Sequence, residues 1–322
     1  MTWPAVDALK QQIPLLDYLQ SQDWKPARRI SRGRLMGLCP LHAEQQPSFL
    51  VDPAKNLFYC YGCGRGGDLI RFVELYFAVG FRDAMTMLRS PNRQSLLKDV
   101  VSFYQVQLYR HPEAAHYLLL RGIQQPQIIE ELAIGYAPGR CLRSWLMTLG
   151  YSLSELQQAG LVNTAGHDTF SRRVVFPLEA NLYGRSIGNA PAHRFLPGVK
   201  GGLYAWQRVK QSPKVILVEG LFDLAALWQA GFRNVTCAMG SHLNARQFQQ
   251  LCDGVSRTVY LAFDCDVHGA GQQAAQQLSR RLLKEGVTAL RVELPHGHDP
   301  NSFFAGGGDG GQFQNLLEEA VP

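Results

Sequence analysis

The spacing of apolar positions changes several times along the chain, and each change marks a different kind of element. Between residues 3 and 20, Val6, Leu9, Ile13, Leu16 and Leu19 recur at helical intervals, and Pro14 predicts a break between two short helices. A basic stretch, KPARRISRGR, runs into LMGLCPLH. FLVD and NLFYCYGC then read as strands, and residues 68–89 as a helix in two pieces divided at Gly80. SPNRQ at 90–94 predicts a first boundary. From 95 to 160, apolar residues three and four apart predict helices separated at HPE, QQPQ and APGR. RVVFPL and LYGRSIG, beginning at Arg173 and Leu182, read as strands, and a Gly- and Pro-containing stretch follows to Trp206.

From residue 214 the rhythm alternates. KVILVEG, NVTCAM, TVYLAFD and ALRVELP read as apolar strands, with helices over LFDLAALWQAG, NARQFQQLC and about Gly271–Glu285 between them. Apolar strands alternating with helices predict a mainly parallel sheet covered on both faces. The Gly-rich AGGGDGG at 305–311 reads as a flexible turn or linker.

At 322 residues the chain has room for two domains of about 150 residues each and a small module. Its 46% hydrophobic and 18% charged content excludes a disordered polymer, and no apolar run approaches the ~20 residues of a membrane span. MTWPAVDALKQQ lacks the features of a signal peptide, so a cytoplasmic protein is expected. The net charge of +6 is unevenly distributed. Residues 1–210 carry 24 Lys and Arg against 15 Asp and Glu, and residues 211–322 carry 8 against 11. Of the 32 basic residues 24 are Arg, whose planar fork pairs with phosphate and stacks on bases, so the first part expects a phosphate-rich polymer.

Three of the seven Cys fall within 25 positions. Cys39-x2-His42 and Cys60-x2-Cys63, with 17 residues between the pairs, have the spacing of a structural zinc ribbon. Four protein ligands leave no open position, so the expected Zn²⁺ holds structure. A second constellation is acidic. Glu219 closes one apolar strand, and Asp264 and Asp266 stand two apart where another ends, at the carboxyl edge where sites of parallel sheets collect. Carboxylates that close repel unless a hard cation lies between them, which points to Mg²⁺ or Mn²⁺. Asp299 in GHDP follows the next strand and is expected to reach the same cleft.

E-G at a strand end, D-x-D two elements later and H-D-P-N after it resemble the Toprim domain. With the ribbon in GLCPLHAEQQPSF and FYCYGCGRGGD, the chain resembles the DnaG-type bacterial DNA primases, over roughly residues 1–304. YLLLRGI, AIGYAPG, HDTFSRRVVFPL, YGRSIGN and HRFLPG resemble the basic subdomain that precedes Toprim in that family. The resemblance implies a multidomain α+β and α/β fold: a zinc-ribbon DNA-binding domain at 1–92, a basic α+β subdomain at 93–210, a Toprim-like α/β domain with a mainly parallel sheet at 211–304, and a Gly-rich tail at 305–322. It implies synthesis of short RNA primers from NTPs on single-stranded DNA, with Glu219, Asp264 and Asp266 catalytic and Asp299 joining them around Mg²⁺ or Mn²⁺. Arg173, Arg185, Arg194 and Lys200 match basic positions that face template, product or nucleotide.

Ser171, Pro197 and Asn301 depart from the family pattern, Asn301 standing where an Asp is frequent. Only 21 residues follow Asn301, so the helical subdomain and helicase-binding domain of the cellular enzymes are not expected here. The expectation is a short form as in mobile elements, recruited to a replicative helicase by other means or not at all. The alternatives are a single-stranded-DNA-binding replication accessory protein with weak catalysis, and a Toprim nuclease.

Overall fold

The computed structural model describes residues 6–322, except 7–8, 11–12, 23, 89–92, 189, 199 and 266–269. Two compact units emerge, residues 1–93 and 94–322. Asp266 lies outside the described residues.

The first unit is built on a five-stranded antiparallel sheet in the order β1 (Pro26–Arg29), β2 (Leu35–Gly37), β3 (Phe49–Asp52), β4 (Leu57–Cys60), β5 (Gly66–Gly67). A helix at Leu15–Ser21 precedes it and helices at Leu69–Phe77 and Phe81–Leu88 follow, with the break at Gly80 where glycine was expected to divide them. Alternation puts Phe49 and Phe58 on the inner face, where their rings stack at 5.2 Å and meet Phe72 of the Leu69–Phe77 helix.

The second unit holds two four-stranded sheets. One is antiparallel, β6 (Gly135–Ala137), β7 (Arg173–Pro177), β8 (Leu182–Ser186), β9 (His193–Phe195), and helices between Arg93 and Gln158 accompany it. The other is parallel throughout, in the order β11 (Val235–Cys237), β10 (Lys214–Val218), β12 (Thr258–Ala262), β13 (Thr288–Arg291), as the strand–helix alternation predicts. β6 and β9 are absent from the sequence reading. Each has three residues, too few for a period-two pattern to declare itself.

One hydrophobic cluster runs from Leu108, Ile134 and Phe176 to Val218, Phe222 and Phe313, so the expected boundary at residue 210 passes through a shared core. The expected Gly-rich tail is a correction. Asp309 caps a helix at Gly310–Glu318, Phe313 is fully buried against Phe232, Phe303 and Phe304, and Val321 pairs with the backbone of Arg291 on β13. Phe313 and Leu317 lie one helical turn apart, and their burial outweighs the freedom of the preceding glycines.

Candidate metal centres and nucleic-acid face

In the first unit the two Cys/His pairs converge. One ligand atom from each of Cys39, His42, Cys60 and Cys63 lies within 4.8 Å of the others. Both knuckles show backbone N–H donation to sulfur, Leu41 to Cys39 Sγ and Cys63 to Cys60 Sγ, each at 3.4 Å. Burial pushes the Cys39 thiol well up, and the nearby Cys60 and Cys63 add to this. Packing three thiols and an imidazole this closely suits a tetrahedral divalent ion, and this donor set fits structural zinc.

Glu44 and Ser48, which the sequence reading missed, complete the arrangement. Glu44 accepts from Cys39 N–H at 2.7 Å and Ser48 N–H at 3.1 Å, and its Oε2 lies 3.3 Å from His42 Nε2, leaving Nδ1 on the thiol side at 3.9 Å from Cys60 Sγ. A carboxylate behind the imidazole fixes its ring and tautomer. Gly62 is required here, because a Cβ would stand 2.7 Å from His42 Nε2 and 2.8 Å from Ser48 Oγ.

In the second unit β10 and β12 are parallel neighbours, with Val218 opposite Ala262, so Glu219 and, two residues beyond Ala262, Asp264 follow at the same end of the sheet. Asp264 N–H donates to Glu219 Oε1 at 3.3 Å. The helix Ala270–Lys284 begins against them: a Cβ on Gly271 would lie 2.4 Å from Asp264 O and 2.8 Å from Glu219 Oε1. Asp299 caps the helix Pro300–Ala305, accepting from Ser302 N–H at 2.5 Å. Backbone bonds between Cys265 and residues 297–298 tie its segment to that of Asp264.

Asp223 is a further acidic residue, unremarked in the sequence because it resembles an ordinary first-turn acid of an apolar helix. It is 5% exposed and accepts from Gly220 N–H at 2.9 Å and Asn301 N–H at 3.0 Å. Burial pushes its carboxyl up, and the nearness of Asp299 and Asp264 pushes it further. Crowded carboxyls of this kind suit a cation. Among the described residues, however, only the Cys/His group is gathered tightly enough to hold an ion as it stands.

Asn301 is not turned into that cleft. Its Nδ2 donates to Arg121 O at 2.7 Å and its Oδ1 accepts from Arg121 Nη1 at 3.3 Å, a donor-and-acceptor role that an ionised Asp cannot fill.

The four basic residues do not form one group. Register puts Arg185 with Val174, Tyr183, His193 and Phe195 on one face of the antiparallel sheet, and Lys200 joins that face with Nζ 4.3 Å from the Phe195 ring centroid. Arg173 and Arg194 belong to the other face. Arg194 is exposed and donates to Thr169 O at 2.7 Å. The expectation for Arg173 is corrected: at 2% exposure, donating to Gly184 O and Ala192 O, it has no surface to offer a ligand. Arg121 was missed; its guanidinium lies 5.6 and 5.3 Å from the ring centroids of Tyr117 and Phe222.

Three family models match in sequence order: a CHC2 zinc finger at residues 2–103, the N-terminal domain of the DNA primase catalytic core at 103–191, and a Toprim-like domain at 216–304. The DNA primase of Aquifex aeolicus is 31% identical over 335 residues, covering 93% of this chain. The chain belongs to the DnaG-type primase family. Another relative, the DNA primase of Chlamydia pneumoniae, is 28% identical with 99% of this chain covered. The chain spans 66% and 60% of the lengths of these two relatives. The solved Aquifex aeolicus primase, comprising zinc-binding and RNA polymerase domains, matches with a TM-score of 0.63 at 29% identity, covering 98% of this chain and 85% of that one. A DnaG primase catalytic domain bound to single-stranded DNA matches with a TM-score of 0.60 at 26% identity, covering 76% and 84%.

Proposed function

We propose that the protein is a DNA primase, joining NTPs into short RNA primers on a single-stranded DNA template by metal-dependent nucleotidyl transfer. The observation that carries this is the contact of Asp264 with Glu219 at one end of the parallel sheet, with Asp264 and Asp299 both near the buried Asp223, in a chain that also holds a Cys/His group. Membership of the DnaG-type family supports the same reading, as does the DNA-bound relative.

Glu219, Asp264 and Asp299, with Asp266, are the residues assigned to hold Mg²⁺ or Mn²⁺. When bound, such ions reduce the charge on the triphosphate, activate the 3′-hydroxyl and stabilise departing pyrophosphate. Asp223 and Asn301 hold the ends of the two helices that carry Glu219's neighbour Gly220 and Asp299. Arg185, Lys200 and Arg121 supply positive charge beside aromatic rings, a combination suited to a phosphate backbone with stacked bases. Arg194 offers a second contact on the opposite face. Residues 1–92 are assigned to template binding, 93–210 to the basic surface and 211–304 to chemistry. Membership of a family of DNA primases supports a cytoplasmic location; no helix among the described residues is long and apolar enough to cross a membrane.

The test is primer synthesis on mixed-sequence single-stranded DNA with labelled NTPs and Mg²⁺ or Mn²⁺. Oligonucleotides made by the wild type and not by the Asp264→Ala, Asp266→Ala double variant are expected. No product from either protein, with salt-sensitive binding to the same DNA, would instead mark a binding accessory protein.

A further inference from the structure

His193 sits between two residues of β8. Its Nε2 is 2.9 Å from Arg185 Nη1 and its Nδ1 is 2.8 Å from Tyr183 Oη. A guanidinium carries only donors, so Nε2 must be the acceptor and bear no proton. A neutral imidazole then has its hydrogen on Nδ1, which donates to Tyr183 Oη and leaves the tyrosine's own O–H directed elsewhere. The three side chains form a chain of donations, Arg185 to His193 to Tyr183, across the β8–β9 pair on the face that also carries Phe195 and Lys200.

We propose that His193 is a positioning residue for Arg185: its unprotonated Nε2 holds the guanidinium on the Phe195–Lys200 face, ready for a nucleic-acid phosphate. The proposal rests on the nucleic-acid reading of that face given above. Sequence reading passes over His193, which stands in HRF as one more polar residue before the basic and aromatic positions.

The surroundings favour the neutral form. Partial desolvation of this otherwise exposed residue, and then Arg185 and Lys200, hold the imidazole below its ordinary value, with Arg121 and Arg173 adding to the effect. The groups facing it are therefore Arg185 and Tyr183 from β8, Lys200 from the segment after β9, and Arg121 from the loop after the helix Pro112–Leu120, while the charge of Arg173 on β7 acts from the other face of the sheet. Burial pushes Tyr183 up to about 12, so the phenol stays protonated and remains a partner for Nδ1. Protonation of Nε2 turns an acceptor into a donor facing another donor, and adds a cation beside Arg185. The contact then breaks, so the positioning is lost as pH falls through the pKa of His193.

The test combines DNA affinity with a direct view of the ring, using the full chain and a labelled single-stranded oligonucleotide at constant ionic strength. Arg185→Ala and His193→Leu are each expected to weaken binding about 2- to 10-fold, with the double variant no weaker than Arg185→Ala alone. His193→Gln, which retains an acceptor, is expected to recover part of the loss. The advantage of wild type over His193→Gln should shrink on acidification, and vanish in an Arg185→Ala background. Nitrogen NMR of the imidazole should show the Nδ1–H tautomer.

Additive losses from the two single variants, an Nε2–H tautomer, or wild-type binding that strengthens on acidification relative to His193→Gln would overturn the positioning role. The last outcome would make His193 a simple cationic contact. Unchanged affinity in Arg185→Ala would overturn the nucleic-acid reading of the face, and the role of His193 with it, whereas a weakened Arg185→Ala beside an unchanged His193→Leu would overturn the positioning role alone.

Discussion

Asp223 accepts the backbone N–H of Asn301 at 3.0 Å, joining the first turn of the helix after β10 to the helix that Asp299 caps. Two segments 78 residues apart, each carrying an acid of the candidate metal centre, are held together by one buried carboxyl. Replacing Asp223 by Ala leaves the Gly220 and Asn301 N–H groups without this acceptor. Relief of a crowded charge offsets part of the loss, and a net destabilisation of about 2 kcal/mol is expected. Denaturant unfolding of Asp223→Ala against wild type checks it; equal midpoints would show that the carboxyl is not what joins the segments.

Gly271 allows the helix Ala270–Lys284 to start against Glu219 and Asp264. A Cβ placed 2.4 Å from Asp264 O cannot be accommodated without movement of the backbone. A displacement of about 1 Å at a reacting centre costs on the order of 100-fold in rate. Gly271→Ala is therefore expected to lose primer synthesis by about that factor, with circular dichroism and zinc content unchanged. Near-normal synthesis would mean that the helix end yields without disturbing the acids.

The zinc ligands were legible because their chemistry lies in local spacing, two close pairs and a spacer. Their support was not: Glu44 and Ser48 are ordinary polar residues until the fold turns them onto His42 and Cys60. Glu44→Gln is expected to lower zinc affinity about 10- to 100-fold, measured by competition with a chromogenic chelator. Complete removal of zinc is expected to unfold residues 1–93 while residues 94–322 keep their unfolding transition, since each unit has its own contacts. A single joint transition with or without zinc would contradict that independence.

The same division runs through the rest of the molecule. The parallel sheet could be read because four apolar runs alternate with helices, and the strand ends located Glu219 and Asp264. Arg173 and Arg194 could not be sorted from Arg185, since a motif gives position in the chain while burial and facing depend on β6 and β9, strands too short to show in the sequence. Asp223 and Arg121 take their meaning from partners 78 and 180 residues away.

Asp68 gives the first unit a pH dependence. It caps the helix Leu69–Phe77 through Arg71 N–H at 3.0 Å and pairs with Lys10 at 2.7 Å. Burial pushes its carboxyl up, but the Lys10 hydrogen bond and the Arg71 N–H outweigh this and leave it below its ordinary value. A carboxyl with a lowered pKa holds its proton less well in the fold than in the unfolded chain. Its contribution is full above the ordinary aspartate value of about 3.9 and is lost as pH falls through the lowered one. Asp68→Ala is expected to cost about 1 kcal/mol at neutral pH. The gap from wild type, measured by denaturant unfolding, should narrow on acidification, and a constant gap would assign the cost to packing.

Phe313 decides whether the last residues belong to the fold. Its ring is fully buried, 5.1 Å from Phe232 and 5.6 Å from Phe304 between centroids, in the same cluster as Val218 and Phe222 beside the acidic strand ends. Truncation to Ala removes this ring from a packed interior, which costs about 3–5 kcal/mol. The effect should also reach the site, because Phe303 and Phe304 lie on the helix that Asp299 caps and pack against the same ring. Phe313→Ala is thus expected to lower the thermal midpoint of the second unit and to weaken primer synthesis below that midpoint, where the chain is still folded. Lowered stability with undiminished synthesis would separate the helix at Gly310–Glu318 from the positioning of Asp299, and leave it the single task of closing the core.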